Sequence, residues 1–266
     1  MKLRSAIAVV LSSIIALTNV SPAEAVIGGR ANTADSVARI ILGNSLCAGT
    51  LITPEWVLTA KHCITEGGSR IDVAGQAFAA TEAILHPEAD LAVIRLNGSA
   101  SATPAPLSGE NLQPGARGVI SGFGGFNARF IGSGQAYAAD ATIARRVTHL
   151  PSDDPSATLL EGHVTGGRAQ HGDSGGPLFV GASVAGVTSM ASETGTGAFF
   201  VPVAEHLDWI SRHTGTARPA VIGSPSPLVD AEVFPTVLPA PQVPAIGISE
   251  IESLLNYGFD VRVLSS

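Results

Sequence analysis

The run QHGDSGGP, residues 170–177, sets Ser174 among glycines. A serine hydroxyl is a weak nucleophile at neutral pH. It attacks a carbonyl only when a nearby base takes its proton, and efficiently only when hydrogen-bond donors wait where the carbonyl oxygen becomes negative. Glycines permit the sharp turn that presents such a hydroxyl and aims nearby N–H groups inward; taken alone, the same pattern also fits an ordinary turn. The base has to be found among His62, His86, His149, His163, His171, His206 and His213. His62 stands in VLTAKHC, after an apolar run and beside Cys63, and a bond from Cys63 to Cys47 would fix its backbone and ring. His86 precedes Pro87 in a loop, His206 falls on a C-terminal helix, and the remaining four show no fixing partner. An imidazole that must become an imidazolium needs a carboxylate behind it. Asp90 opens the alternating run DLAVIRL and is anchored for that role, whereas Asp72, Glu82 and Glu88 read as solvated charges.

The elements that must position these groups are strands. From residue 26 to about residue 210, short apolar runs such as ARIIL, AGTLIT, EWVLTA, GVISGFG, GPLFVG, SVAGVTSM and GAFFVPV alternate with turn signals, among them Thr53-Pro54, Gly67-Gly68 and Asn97-Gly98. Hydrophobic residues make up 45% and charged residues 14%, with 30 glycines, a profile of short strands and many turns. One helix is expected, VPVAEHLDWISRH, which puts Val203, Leu207 and Ile210 on one face, with Pro202 near its entry. The fold class is all-β.

The formal net charge of −7 and the scattering of the arginines argue against a nucleic-acid-binding face. Lys2 and Arg4 precede AIAVVLSSIIAL, too short to cross a bilayer and suited to the core of a signal peptide, with SPAEA as its cleavage site. Residues 1–25 are therefore expected to be a leader, an uncleaved anchor being the alternative, and the product to be secreted, free or associated with the cell envelope. In an oxidising compartment Cys47 and Cys63 can pair only with each other within the chain, which predicts one disulfide. Residues 216–245 carry prolines without either periodicity and read as an extended linker. Residues 246–266 regain order, with a capping-box spacing at Ser249 and Glu252 and an alternating FDVRV, but are too short to bury a core. They are expected to dock on an envelope partner or on the chain itself.

VIGG, CAGTLI with LTAKHC, DLAVIRL, GDSGGP and a closing helix ending in DWI occur in the order found in the chymotrypsin/trypsin serine endopeptidases, and residues 26 to about 210 resemble the small bacterial members of that family. The resemblance implies two six-stranded antiparallel β-barrels with the site between them, and a serine-type endopeptidase domain over residues 26–215. It implies that Ser174 is the nucleophile, His62 the general base and Asp90 its orienting carboxylate, that the N–H groups of Gly172 and Ser174 form the oxyanion hole, and that neither metal nor cofactor is needed. It further implies that the freed amine of Val26 pairs with Asp173, so that leader removal itself would complete the enzyme. A polypeptide substrate and a monomer follow from the same resemblance.

The residue at the floor of the specificity pocket in trypsin-like members corresponds to Arg168, which argues against cleavage after Lys or Arg. A buried arginine there would select acidic side chains, unless it turns to solvent or pairs with a carboxylate of the protein itself. His171, Ser189 and Ala191 are expected to line the same pocket. Family members that have lost catalysis and serve as binding proteins supply the competing reading. Against it stands the presence of all three triad residues and the glycine frame.

Overall fold

The computed structural model describes residues 26, 28–43, 45–124, 134–148, 158–192, 194–230 and 262–264. After β1 (Arg30–Ala31), the N-terminal sheet contains β2 (Val37–Leu42), β3 (Ser45–Thr53), β4 (Trp56–Thr59), β5 (Ser69–Val73), β6 (Gln76–Phe78), β7 (Ala80–Leu85) and β8 (Ala92–Leu96), in the antiparallel order β7-β8-β4-β3-β2-β5-β6. The second half contains β9 (Arg117–Gly122), β10 (Tyr137–Thr148), β11 (Leu159–Thr165), β12 (Pro177–Val180), β13 (Ser183–Ala191) and β14 (Gly197–Pro202). Because β9 pairs with both β12 and β10, these six strands close into a barrel. The N-terminal sheet is curled but open between β6 and β7, which pair with β5 and β8 and not with each other. It is a half-barrel where the sequence predicts a second closed one.

The two-residue period of a strand explains how the halves join. On β14, Phe200 points into the closed barrel with Ile120, Leu160 and Leu178, while its neighbour Phe199 joins Leu51, Leu58, Val93 and Ile94 of the N-terminal sheet in one shared core. Leu159 and Leu160 on β11 divide in the same way. Strands apolar on both faces therefore belong to two cores at once, and the seam between the halves is hydrophobic interior.

The expected helix is shorter than its apolar pattern. Val203–Glu205 form a 3-10 turn, and α1 (Leu207–Thr214) follows, closed by Gly215 in the left-handed conformation, whose N–H bonds Ser211 O at 2.9 Å. Val203, Leu207 and Ile210 are all buried, as the spacing predicts.

Residues 216–230, within the proline-rich stretch, run back along the closed barrel. Ile222 N–H donates to Gly109 O (2.8 Å) and its carbonyl accepts from Asn111 N–H (3.0 Å). Asn111 Nδ2 donates to Gly223 O and Gln113 Nε2 to Ser224 O. β15 (Leu228–Asp230) then adds a parallel strand beside Arg146–Thr148 of β10. A segment without a core of its own is thus held by hydrogen bonds, with Val221, Ile222, Leu228 and Val229 exposed. β16 (Arg262–Leu264), in the FDVRV run, pairs in parallel with β7, and the capping box at Ser249 and Glu252 lies outside the described residues.

Cys47 on β3 and Cys63 in the 3-10 turn Lys61–Cys63 form the expected disulfide, both fully buried, with a sequence separation of 16 residues. Closing a loop of this length stabilises the fold by about 3 kcal/mol in the chain-entropy model. The double substitution Cys47→Ala/Cys63→Ala is expected to lower the Tm by about 10 °C, at a few degrees per kcal/mol for a domain of this size. Calorimetry checks it; a change below about 2 °C would mean that the bridge constrains little.

Candidate active site

Three segments meet at the seam. The first is the 3-10 turn Lys61–Cys63 after β4, whose short i to i+3 bonds (Cys63 N–H to Ala60 O, 3.2 Å; Ile64 N–H to Lys61 O, 3.0 Å) and buried Cys63 fix His62. The second is the turn before β8, which ends at Asp90. The two are joined twice: His62 N–H donates to Asp90 Oδ1 at 2.9 Å, and His62 Nδ1 lies 2.8 Å from Asp90 Oδ2. With the proton on Nδ1, this pair leaves Nε2 with its lone pair, 3.8 Å from Cys63 Sγ.

Ser189 at the end of β13, expected in the substrate pocket, instead donates its hydroxyl to Asp90 Oδ2 at 2.6 Å. Burial pushes the Asp90 carboxyl up, but its hydrogen bonds with His62 and Ser189 and the charge of His62 outweigh that, and it titrates below the usual range. The side chains of His62 and Asp90 are 33% and 18% exposed, so the imidazole is accessible while its carboxylate is screened.

The third segment is the turn at Ser174. Ala48 N–H of β3 donates to Ser174 O at 2.7 Å, Gly175 N–H donates to Thr188 O, and Thr188 N–H to Gly176 O, which stitches the turn to both sheets. Thr59 Oγ1 donates to Ala48 O beneath it. Gly175, at φ +77°, has no room for a side chain: a Cβ would lie 2.1 Å from Thr59 Oγ1 and 3.0 Å from Ala60 N, two residues from His62. Among the described residues Ser174 Oγ has no hydrogen-bond partner, so no bond joins it to His62.

The amides of this turn divide into two sets. Asp173 N–H donates to Gln170 O, Gly175 N–H to Thr188 O and Gly176 N–H to Asp173 O. The N–H groups of Gly172 and Ser174 have no acceptor among the described residues. Gly172, at φ +96°, takes the left-handed conformation that lets the chain present them.

Asp173 points the other way, into the closed barrel. Its carboxylate accepts from Gly124 N–H and Gln170 N–H, both at 2.8 Å, and a Cβ on Gly122 or Gly124 would strike it at 2.3 and 2.4 Å. Burial pushes it up to about 7, only partly offset by the two amides. Val26 is fully buried in the core of the same barrel, with its side chain by Gly167. The glycine-rich run after β9 signals this carboxylate pocket in the sequence, although no spacing rule connects it to residue 173.

Arg168 is exposed, not buried, because its backbone lies against the turn at Gly195, where Ala169 N–H donates to Gly195 O at 2.9 Å. It makes no ion pair with a described residue. His171 is half-buried, with its imidazole lowered by burial, and Ala191 is half-buried at the end of β13. Cys47, His62 and Cys63 cluster as metal ligands would, but both sulfurs are committed to the disulfide and Nδ1 to Asp90.

The trypsin family profile matches residues 26–210. Two proteins of Corynebacterium glutamicum designated peptidases, one of them uncharacterized, are 42% and 41% identical over 261 residues, covering 91% of this chain and 92% of their own length. Granzyme M of Homo sapiens is 30% identical over 208 residues, 65% of this chain and 81% of that protein. Neuropsin, a serine protease of mouse brain, superposes with a TM-score of 0.57 over 70% of this chain and 98% of its own, and at 23% identity that likeness is one of fold. A closed six-stranded barrel packed on a curled sheet, with histidine, aspartate and serine turns meeting at their seam, thus coincides with a family match across the whole of both halves, and the chain belongs to the trypsin family of serine endopeptidases.

Proposed function

We propose that the protein is an exported endopeptidase that cleaves polypeptides through an acyl-enzyme on Ser174. Ser174 Oγ attacks the scissile carbonyl carbon as its proton passes to His62 Nε2. The imidazolium formed is stabilised by Asp90, and its proton then goes to the leaving amine. Water enters and repeats the sequence on the acyl ester, releasing the second product and restoring the hydroxyl. The observation that carries this reading is the pair of unused amides at Gly172 and Ser174. Buried or cleft-facing N–H groups rarely go unpaired, and these two alternate with used neighbours where an oxyanion would form.

Removal of residues 1–25 would free the Val26 amine beside the barrel that buries Asp173. A carboxylate held by two amides and no described cation gains a partner when that ammonium arrives, and the pairing would then order the Gly172–Ser174 turn. Cleavage after acidic residues is the proposed preference where a bound substrate covers Arg168, which is exposed in the free protein, makes no ion pair with a described residue and lies beside the turn at Gly195. Among the described residues no helix is long and apolar enough to cross a membrane. The last residues, 246–266, remain the proposed attachment to an envelope component or to the chain itself.

A fluorophosphonate probe should label the wild-type protein at Ser174 and leave Ser174→Ala unlabelled, and Asp90→Asn should reduce kcat by ~10⁴; absence of labelling in the processed protein would favour a catalytically silent binder. In the unprocessed chain, folding raises Asp173 from 3.8 to about 7, so the folded state keeps a proton that the unfolded chain has released and loses stability as pH rises through that window. Urea midpoints measured from pH 4 to 7 should therefore fall for the precursor relative to its Asp173→Asn variant. Equal slopes would contradict the proposed state of the carboxyl. For specificity, Arg168→Ala should raise KM about tenfold or more for peptides with Asp or Glu before the scissile bond. A wild-type cleavage profile dominated by small apolar residues would remove the arginine from this role.

A further inference from the structure

The turn that delivers Asp90 is held by an imidazole with no part in the proposed proton transfer. His86, the first residue after β7, is buried, and its Nδ1 accepts from two backbone amides of its own turn, Ala89 N–H at 2.9 Å and Glu88 N–H at 3.1 Å. An imidazole that accepts at Nδ1 carries its proton on Nε2. That Nε2 lies 3.2 Å from His206 Nδ1, in the residue just before α1, so His86 donates and His206 accepts. Two backbone bonds, His86 N–H to Leu91 O and Leu91 N–H to Ala89 O, close the turn around Asp90.

We infer that the His86–His206 pair is a proton-sensitive latch on this turn, in which His86 positions Asp90 and the neutrality of His206 keeps His86 in place. This rests on Asp90 serving as the carboxylate behind His62. The logic is one of donors and acceptors. A proton on His206 Nδ1 turns two N–H groups toward each other, and a proton on His86 Nδ1 removes the acceptor that the amides of Glu88 and Ala89 have among the described residues. Neither charged form keeps both bonds.

The surroundings work against charge. Trp209 packs edge-on to His86 with ring centroids 5.0 Å apart, His213 lies tilted against the same indole, and Lys61 Nζ donates to the His86 carbonyl at 3.3 Å. Of the acids nearby, Glu205 is held by Arg146 in a two-pronged pair at 2.7 and 2.9 Å, and Asp208 by Arg218. Glu88 and Asp90 lie on the turn itself, and Asp90 is committed to His62 and Ser189. Burial, together with the neighbouring His86, lowers His206 to about 4. The folded state thus holds fewer protons than the unfolded chain between the ordinary histidine value and about 4, and the latch weakens as pH falls through that window.

Asparagine separates the two roles, because its side-chain oxygen can accept as Nδ1 does but does not titrate, and it forms the same local turn. At pH 8, His86→Ala should lower kcat about tenfold or more with KM little changed, and His86→Asn should recover most of the loss. His206→Asn should match wild type at pH 8. Hydrogen exchange of the segment 86–91, corrected for intrinsic rates, should quicken in wild type between pH 6.5 and 4 and stay protected in folded His206→Asn. Exchange is read without catalysis, so an inactive triad and a failed latch give different results. Unchanged kcat in His86→Ala, or the same exchange profile in wild type and His206→Asn, would overturn the proposal.

Discussion

The site depends on holding two independently twisted sheets at one separation, and the bond from Ala48 N–H to Ser174 O at 2.7 Å marks where that separation is set. A single backbone bond contributes only about 1 kcal/mol net. Its importance is geometric: it ties the serine turn of one half to β3 of the other, directly over the Thr59 hydroxyl and next to Ala60. A misplacement of about 1 Å between reacting groups can cost a hundredfold in rate. The shared core of Phe199, Leu159, Leu51 and Val93 supplies the stiffness, since close-packed interior does not deform continuously. Closure of the N-terminal sheet into a full barrel is unnecessary for this, because β3, β4 and β8, which carry the approach to His62 and Asp90, lie in the middle of the sheet.

Local patterns made the strands, the disulfide, and the His62–Asp90 bond legible in the sequence. Alternation showed which faces are apolar, the two cysteines had one partner each, and the acid stood at a strand entrance. The bond from Ser189 to Asp90 is not legible in the sequence, because a strand's period says which face a residue takes but not which side chain from another segment waits there, and Asp90 is 99 residues away. Whether Arg168 is buried or turned to solvent is open in the sequence, because it depends on how the turn at Gly195 lies against its backbone, and the side chain is exposed. Proline-rich residues 216–230 looked like a linker because they have no periodicity. They dock through carbonyls that Asn111 and Gln113 seek out, a complementarity between segments more than 100 residues apart that composition does not encode.

Two carboxylates in this site are buried to similar effect and end in opposite states. Asp90 accepts from two nitrogens of His62 and a hydroxyl, with a chargeable ring among them, and is held below its ordinary range. Asp173 accepts from two amides only and is raised to about 7. Desolvation is common to both, so the difference lies in the partners: an amide dipole compensates a buried charge only partly, whereas an ionisable ring can compensate it fully. Asp90 is therefore finished as folded, and its environment gives no reason for the turn to move. Asp173 is unfinished. A buried acid with two amide donors and no cation among the described residues is where the proposed Val26 ammonium would pair, and the Val26 side chain is already in the same core. Because Gly172 and Ser174 flank Asp173 on either side, a charge that paired with that carboxylate, as proposed, would also bear on the two amides that have no acceptor among the described residues, and the electrostatics of the barrel interior would then be tied to the chemistry at its surface through one three-residue turn.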